Sequence, residues 1–467
     1  MVRDKRFGWR LLAATGAFAM VATACSSDGG SSDDGASDDD GQATADDGEA
    51  DDGGDGGDYC ADSSDSMVRW AHEQEPPDLH LDDPANNLSI SSWIQQAMLE
   101  GLYGVSATTE FVPELLAEEG EVVENDDGTV TINMTLRDGI QWSDGEPITG
   151  QTIQDNFDLL MEGYDFENDD ATDAVYALSS RQGYDLVDPD SWEVDGQNFS
   201  FTMETFFAGW PAMFGRVLPT HVLADGAAAN DALREFQVDG EALPASGPFQ
   251  FSEWQRGVSM TLSRNDEYHG ANEVNDEIQN GGVACASGVQ INFVTDTDAQ
   301  INALRAGEAD FIFTQPQVQF GEGLADDDQF TLASEAGPVF EHWSLNTNNA
   351  HLNDPNVREA LAYAMDKSVV MESLYAPLFG DTLPVEGLGS TYWLSNSPNY
   401  SNLQGEAGYG QGDVDSSNAL LEESGYSQNG DGVWEHPERG PLTLRVSTTG
   451  GNQLRELQQQ LLQSQLN

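Results

Sequence analysis

Between Ser26 and Asp58 the chain carries no aromatic and no large aliphatic side chain. The stretch SSDGGSSDDGASDDDGQATADDGEADDGGDGGD is almost wholly Asp, Gly, Ser and Ala. A segment with so little apolar surface cannot offset the entropy lost on ordering. Gly and Ser keep it flexible, and the like charges extend it. Residues 26–65 therefore read as an acidic disordered tether, and any packed fold begins near residue 66. Nothing in the run fixes the geometry of its Asp side chains, so no calcium site is expected there.

Arg3, Lys5, Arg6 and Arg10 precede an apolar run from Leu11 to Ala22, which ends in Ala22-Thr23-Ala24-Cys25. A basic start, a short apolar core and small residues before a cut site make a secretory signal. The run is too short to span a bilayer. Cys at the cut reads residues 1–25 as a bacterial lipoprotein signal peptide, with Cys25 the lipidated thiol. Leu is commoner where Ala22 stands, and an ordinary signal with a chance Cys is the alternative. Two or more acyl chains anchor stably where one does not. The expected location is the extracellular face of the cell membrane, lipid-anchored, or the periplasm.

The chain has 83 acidic and 17 basic residues, a net charge of −66. Sixteen of the acids and four of the bases precede Met67, so from there on 67 acids face 13 bases, a net of −54. Lys367 is the only Lys in that part. No basic patch exists to release phosphate counterions, which excludes nucleic acid as a partner. Such a surface repels itself at low salt, and in molar salt the screening length falls to about 3 Å. A saline habitat accounts for this, as does a generally acidic proteome.

About 400 residues follow the tether, enough for two or three domains with real cores. Beyond Cys25 the cysteines are Cys60 and Cys285. In an oxidising compartment this pair is expected to form a disulfide, pinning the start of the folded part to a distant point of the chain.

Strands are expected at Met67–His72, Val130–Arg137, Phe199–Met203, Phe249–Trp254, Val258–Ser263, Val289–Val294, Phe311–Phe313, Phe340–Leu345 and Leu442–Ser447. Helices are expected from Ser89 to Glu100, from Thr149 with Ile153, Phe157 and Leu160 inward, at Asp298–Ala306, from Pro355, at Ser417–Ser424, and from Gln453. Strands and helices interleave, which argues α/β or α+β. Ser427, Asn429, Asp431, Gly432 and Glu438 fall on EF-hand-like positions, but position 1 is Ser and Pro437 precedes the last ligand. A hairpin turn at Asn429–Gly432 is the better reading.

LRDGIQWSDGEPITGQTIQDNF at Leu136–Phe157 resembles a signature of the extracellular solute-binding proteins of family 5, the oligopeptide- and dipeptide-binding components of ABC importers. FVPELLAEE at Phe111–Glu119, SGPFQF at Ser246–Phe251, LSRNDEYHG at Leu262–Gly270, ALRAGEADF at Ala303–Phe311 and NDPNVREALAYAMDK at Asn353–Lys367 are similar to further family motifs, in the family's order. Most of these residues read as structural. Trp142 and the Ser143-Asp144-Gly145 turn pack a corner. Gly247-Pro248 sets a bend, and Arg358 and Asp366 are expected to be partners on one helix.

The resemblance implies an α/β, two-lobed periplasmic-binding-protein-like fold of type II with an extra subdomain. The implied division is lobe I at 66–110 plus 207–287, subdomain Ib at 111–206, and lobe II at 288–467. A peptide would lie extended between the lobes and be buried by hinge closure, gripped through its backbone. Ser91, Ser92, Trp93, Gln315, Trp343, Tyr392 and Trp393 are the implied contacts. The implied partners are a peptide ligand and ABC permease subunits, with the protein a monomer and no cofactor or metal. In the family more chain follows the Gln453 helix, so the second lobe is expected to be incomplete, with Leu457 and Leu461 exposed.

An enzyme is the rival class. The seven His are scattered, and there is no His-Glu-x-x-His pair, Gly-x-Ser-x-Gly elbow or phosphate loop. A secreted hydrolase is a remote alternative. A nickel chelate, haem, glutathione or an oligosaccharide are alternative ligands for the same fold.

Overall fold

β1 (Met67–His72) sits inside a five-stranded sheet because its second half is buried on both faces, with Trp70 and Ala71 almost fully covered. The structure, a computed structural model, describes residues 66–106, 110–270, 284–313 and most of 316–466. Within the last stretch it leaves out 318, 321–323, 325–326, 328, 334–339, 380–386, 392, 394–396, 398 and 449–451. Cys25, the tether, Cys60, Gln315 and Tyr392 thus lie outside the described residues. Cys285 is disulfide-bonded.

Helix α1 (Ser89–Gln96) follows β1. It stops four residues before the expected end because its last carbonyls are taken from outside. Ser246 and Gly247 donate their amides to Met98 O at 3.0 and 2.9 Å, and Phe249 donates to Ala97 O at 3.0 Å. A Cβ on Gly247 would lie 2.9 Å from Ala97 O, so the Gly247-Pro248 bend needs its glycine. A two-stranded ribbon, β2 (Tyr103–Val105) with β3 (Phe111–Pro113), leads into a second sheet.

That sheet has four antiparallel strands in the order β4-β5-β7-β6: β4 (Glu121–Glu124), β5 (Val130–Thr135), β6 (Glu193–Asp195) and β7 (Asn198–Met203). Alternation decides which face is covered. Val130, Ile132 and Met134 of β5 and Phe199, Phe201 and Met203 of β7 point inward. Helix α2 (Gly150–Leu160) begins with a reciprocal Thr149/Thr152 capping box and buries Ile153, Phe157 and Leu160. Trp142 is wholly buried beside the Ser143-Asp144-Gly145 turn, as expected.

Helix α3 (Gly226–Glu235), with Asp225 as N-cap, and the short β8 (Gln237–Val238) and β9 (Glu241–Ala242) return the chain to the first sheet. β10 (Phe249–Gln255) and β11 (Ser259–Arg264) form a hairpin. β12 (Gly288–Phe293) then pairs antiparallel with β11 and parallel with β1. A Cβ at residue 288 would lie 2.3 Å from Leu262 O, so only glycine fits there. After helix α4 (Thr297–Arg305) comes β13 (Phe311–Ile312), parallel to β1 on its other side, giving β10-β11-β12-β1-β13. The boundary expected between 287 and 288 is thereby corrected. β12 and β13 complete the first sheet, since β1 would otherwise bury Trp70 with no strand beside it. One continuous core runs through both sheets, from Trp70 to Ile291.

Beyond residue 340 the packing is thinner. α5 (Pro355–Ala364), capped by Asp354, packs on α6 (Val414–Glu423), capped by Asp413. Between them Leu352, Val357, Ala360, Leu421 and Tyr426 form a small core. β14 (Ser427–Gln428) and β15 (Trp434–His436) make the expected hairpin around Asn429–Gly432, and β16 (Gly440–Pro441) adds a short third strand. α7 (Gln453–Leu466) buries Leu454 and Leu462 and leaves Leu457 exposed, with Leu461 half-buried.

Three expectations fail here. Residues 340–345 and 442–447 form no strand, because among the described residues no neighbour offers them a ladder. Arg358 and Asp366 are not partners. α5 ends at Ala364, and Asp366 caps the next turn through Ser368 N. Arg358 instead donates to the carbonyls of Leu352 and Asn353 at 2.8 and 3.1 Å.

Candidate functional site

In open α/β sheets ligands bind outside the carboxyl ends of the parallel strands. Here those ends are His72, Phe293 and Ile312. An aromatic cluster closes this end of the sheet. Trp70 stacks on Phe311 at 5.7 Å between ring centroids, and Trp93 meets Phe313 at 4.7 Å and His72 at 5.5 Å. Trp70 Nε1 donates to Phe313 O at 2.9 Å. Three segments distant in sequence, 70–72, 93 and 311–313, are thus locked together.

His72 is buried to 2% exposure, and burial holds its pKa down at about 4. Its Nδ1 lies 3.0 Å from both Gln74 N and Gln74 O, and its Nε2 lies 3.5 Å from Glu73 Oε2. At neutral pH this end of the sheet presents an uncharged imidazole.

The chain leaving β13 is tied to α7. Gln317 donates from Nε2 to Asn452 Oδ1 at 3.2 Å and accepts from Leu454 N at 3.1 Å, and Asn452 Oδ1 accepts from Arg455 N at 3.1 Å. Both side chains are buried, at 5% and 7% exposure, and they satisfy first-turn amides of α7. Nearby, Ile301 packs with Phe320 and Leu324 and against Ile312 and Leu378. This joint couples the first sheet to the later part of the chain.

Sequence reasoning and structure part company over the contact residues. Ser91 is fully buried with Oγ donating to Asp78 O at 3.4 Å, and Trp93 is 6% exposed inside the aromatic cluster. Both are spent on packing. Ser92 is half-buried on α1 and accepts from Gln96 Nε2 at 3.4 Å. Trp343 and Trp393 are half-buried, and Trp393 N donates to Ser390 Oγ at 3.3 Å. Among the described residues no hydrogen bond or ring contact joins either to α1. His72, Phe313, Gln317 and Asn452 were missed. The aromatic alternation Phe311–Phe313 was a usable signal for one of them. Nothing local marks Gln317 or Asn452.

A second buried cluster lies where the two sheets meet. Glu100 takes Tyr268 OH at 3.1 Å and faces His269 Nε2 at 3.0 Å. Glu114 accepts from Gly101 N at 2.9 Å. Burial, then the Glu100 charge, push Glu114 up to about 8, so it keeps its proton at neutral pH. Two segments singled out by motif meet at Glu100, through Tyr268 and through Ser246, whose Oγ accepts from Glu100 N at 2.9 Å, while Arg137 N donates to Leu115 O beside Glu114 at 2.9 Å. This is a structural joint. Among the described residues no group of His, Cys, Asp or Glu could hold a metal ion.

A family model for bacterial extracellular solute-binding proteins, family 5 (middle region), matches residues 110–467. The oligopeptide-binding protein AppA of Bacillus subtilis is 20% identical over 369 residues, covering 78% of this chain and 61% of the relative. The glutathione-binding protein GsiB of Salmonella typhimurium is 25% identical over 342 residues, covering 71% and 60%. The chain spans about three fifths of the length of the curated relatives it matches. Among solved structures, the periplasmic EDTA-binding protein EppA superposes with a TM-score of 0.67 at 21% identity, over 86% of this chain and 72% of the other. The oligopeptide-binding protein of Thermus thermophilus, complexed with a pentapeptide, gives 0.63 at 19%, over 86% and 71%.

Proposed function

The chain belongs to the bacterial extracellular solute-binding proteins of family 5, and on that premise we propose that it is the capture component of an ABC importer for peptides. The observation that carries the proposal is the match of residues 110–467 to that family. The type II periplasmic-binding-protein-like α/β fold and a relative named for oligopeptide binding support it.

In this reading an extended peptide lies against the carboxyl ends of β1, β12 and β13, held through its backbone, and hinge closure across the Gln317–Asn452 joint buries it. Ser92, Trp343 and Trp393 are the contacts among the described residues, with Gln315 and Tyr392 assigned from sequence alone. Ser91 and Trp93 are withdrawn as direct contacts because they are buried. Lobe I comprises 66–110, 207–270 and 284–313, subdomain Ib 111–206, and lobe II the described residues from 340 on. The protein is a non-enzymatic monomer, anchored through lipid on Cys25, that meets permease subunits in its closed form. A Cys60–Cys285 disulfide fits this division, since Ser287 N donates to Ser66 O at 2.9 Å and brings the two stretches together. No helix among the described residues is long and apolar enough to cross a membrane.

Native mass spectrometry of the full-length protein from its host tests the ligand. A co-purified ladder of peptide masses is expected, and a single non-peptide mass rejects the reading. Thiol titration of the unfolded, unreduced protein lacking Cys25 tests the disulfide. No free thiol is expected, and two free thiols end it.

A further inference from the structure

In the small core beyond residue 340, side chains that carry or can take a positive charge gather round one buried phenol. Tyr426, 3% exposed, follows α6. His351, 7% exposed, precedes α5, and its Nδ1 lies 2.8 Å from the Tyr426 hydroxyl. His436, the last residue of β15, lies 5.0 Å from the same ring between centroids. Arg439, in the turn before β16, donates to Tyr426 Oη at 3.4 Å and to Asp354 Oδ2 at 3.0 Å. The hairpin is thus fastened at one point to the cap of α5 and to the residue that follows α6.

This fastening needs neutral imidazoles. His436 Nδ1 accepts from Glu438 N at 3.1 Å and from Arg439 N at 3.3 Å. Backbone amides only donate, so that nitrogen carries no hydrogen, and a proton placed on it would displace both amides. At the phenol, the guanidinium also only donates, which leaves the Tyr426 hydrogen free for His351 Nδ1. A proton on His351 would set a second cation against the hydroxyl that Arg439 already holds. Burial, then the charges of Arg439 and His436, keep the pKa of His351 below its ordinary value.

The acids nearby do not relieve a second cation. Asp354 is committed to Arg439; burial pushes its carboxyl up, but hydrogen bonds from Arg439 and Asn356 N leave it below its ordinary value, so it stays charged in mild acid. Glu359 on α5 accepts from Tyr409 OH at 2.9 Å. Glu422 and Glu423 on α6 and Glu435 and Glu438 on the hairpin are exposed to water. The other cation of α5, Arg358, is held by the Leu352 and Asn353 carbonyls.

We propose that this cluster is an acid-operated latch, which fastens the β14–β16 hairpin to α5 and α6 at neutral pH and releases it when His351 and His436 take protons. A histidine held low in the folded state adds stability that is fully present above its unfolded value, about 6.5, and is lost as pH falls below it. The small core has little else to hold the hairpin, so the loss appears there as local opening. The latch is independent of which solute the protein captures.

His72 in the first region is also held low by burial, so the test is local and uses substitution. Hydrogen exchange of the full chain is measured in 2 M sodium chloride at pH 7.5 and 5.0 and corrected for the intrinsic pH dependence. Amides of residues 425–441 are expected to open at least about fivefold more often at pH 5.0. Replacing both residues, His351→Gln and His436→Gln, leaves amide side chains that take no proton. That variant should lose the acceleration while β1 and β5 keep the wild-type response to pH. Wild-type protein with no acceleration at residues 425–441 overturns the proposal by itself, even where the double variant fails to fold. An acceleration that survives in the folded double variant overturns it as well.

Discussion

The first sheet with its subdomain and the chain beyond residue 340 are written in the same alphabet of alternating and helical patterns, yet they bury themselves to different depths. From Trp70 to Ile291 one core runs through two sheets, with Trp70, Trp142, Phe157 and Phe201 essentially inaccessible. Beyond 340 the core of α5, α6 and the β15 hairpin is five buried residues. The difference shows what a pattern needs beyond itself. Apolar periodicity becomes structure when a partner surface is present to receive it, and the first region supplies its own partners. Its stability should accordingly be the higher of the two, with amides of β1 and β5 exchanging last and those of α7 early.

The sharpest way to break this contrast is to empty both cores. Trp70→Ala removes the ring that joins β1, α1 and β13, and should cost about 3–5 kcal/mol. Leu421→Ala in the small core should cost about 2–3 kcal/mol, read from urea unfolding in molar salt. Equal costs would mean that the two regions share one cooperative core.

Next in size is a pH effect confined to the first region. Glu114 holds its proton to about pH 8 in the folded protein, against an ordinary 4.5. The folded state therefore binds the extra proton, and its stability is fully present below about 4.5 and is lost as pH rises through 8. The loss should be roughly 2–3 kcal/mol between pH 5 and 8.5. Glu114→Gln should flatten that slope while leaving hydrogen exchange in α6 unchanged. A slope that survives the substitution would place the proton elsewhere.

Salt acts on both regions, because 67 acids face 13 bases from Met67 on. The midpoint of thermal unfolding should rise by several degrees, ~5 °C or more, from 0.1 to 2 M sodium chloride. A fall would remove self-repulsion as the dominant surface term. Gln317→Ala, which uncovers Leu454 N and Asn452, should cost about 1 kcal/mol and speed exchange at the start of α7 first.

The first region was legible because its signals are local and its partners lie within it. Thr149, Asp225 and Asp296 cap helices; of these, the Thr149 start was visible in the sequence together with its inward Ile153, Phe157 and Leu160. β1, β5 and β7 fall at or within two residues of their expected bounds. What stayed hidden was set by distant atoms. The early end of α1 depends on amides 150 residues away, and the membership of β12 in the first sheet depends on β1. In the candidate site, the cluster at the end of β1 was half visible, since Trp93 was chosen but as a contact rather than as packing. The Gln317–Asn452 joint carries no pattern at all, because a buried amide pair is recognised only by what it meets.

The smallest prediction makes the contrast most sharply. VTINMT of β5 and LTLRVS at 442–447 have the same alternation of apolar and polar residues. Ile132 lies against the core at 0% exposure, whereas Val446 is 48% exposed and its stretch, though Leu442 N donates to Trp434 O and Leu442 and Leu444 rest on the small core, joins no sheet among the described residues. Ile132→Thr buries a hydroxyl where a methylene was and should cost about 1–3 kcal/mol. Val446→Thr should stay within about 0.5 kcal/mol, because nothing is uncovered and a hydroxyl there meets water. A cost at Val446 approaching that at Ile132 would show that Val446 joins Leu442 and Leu444 against the small core in solution.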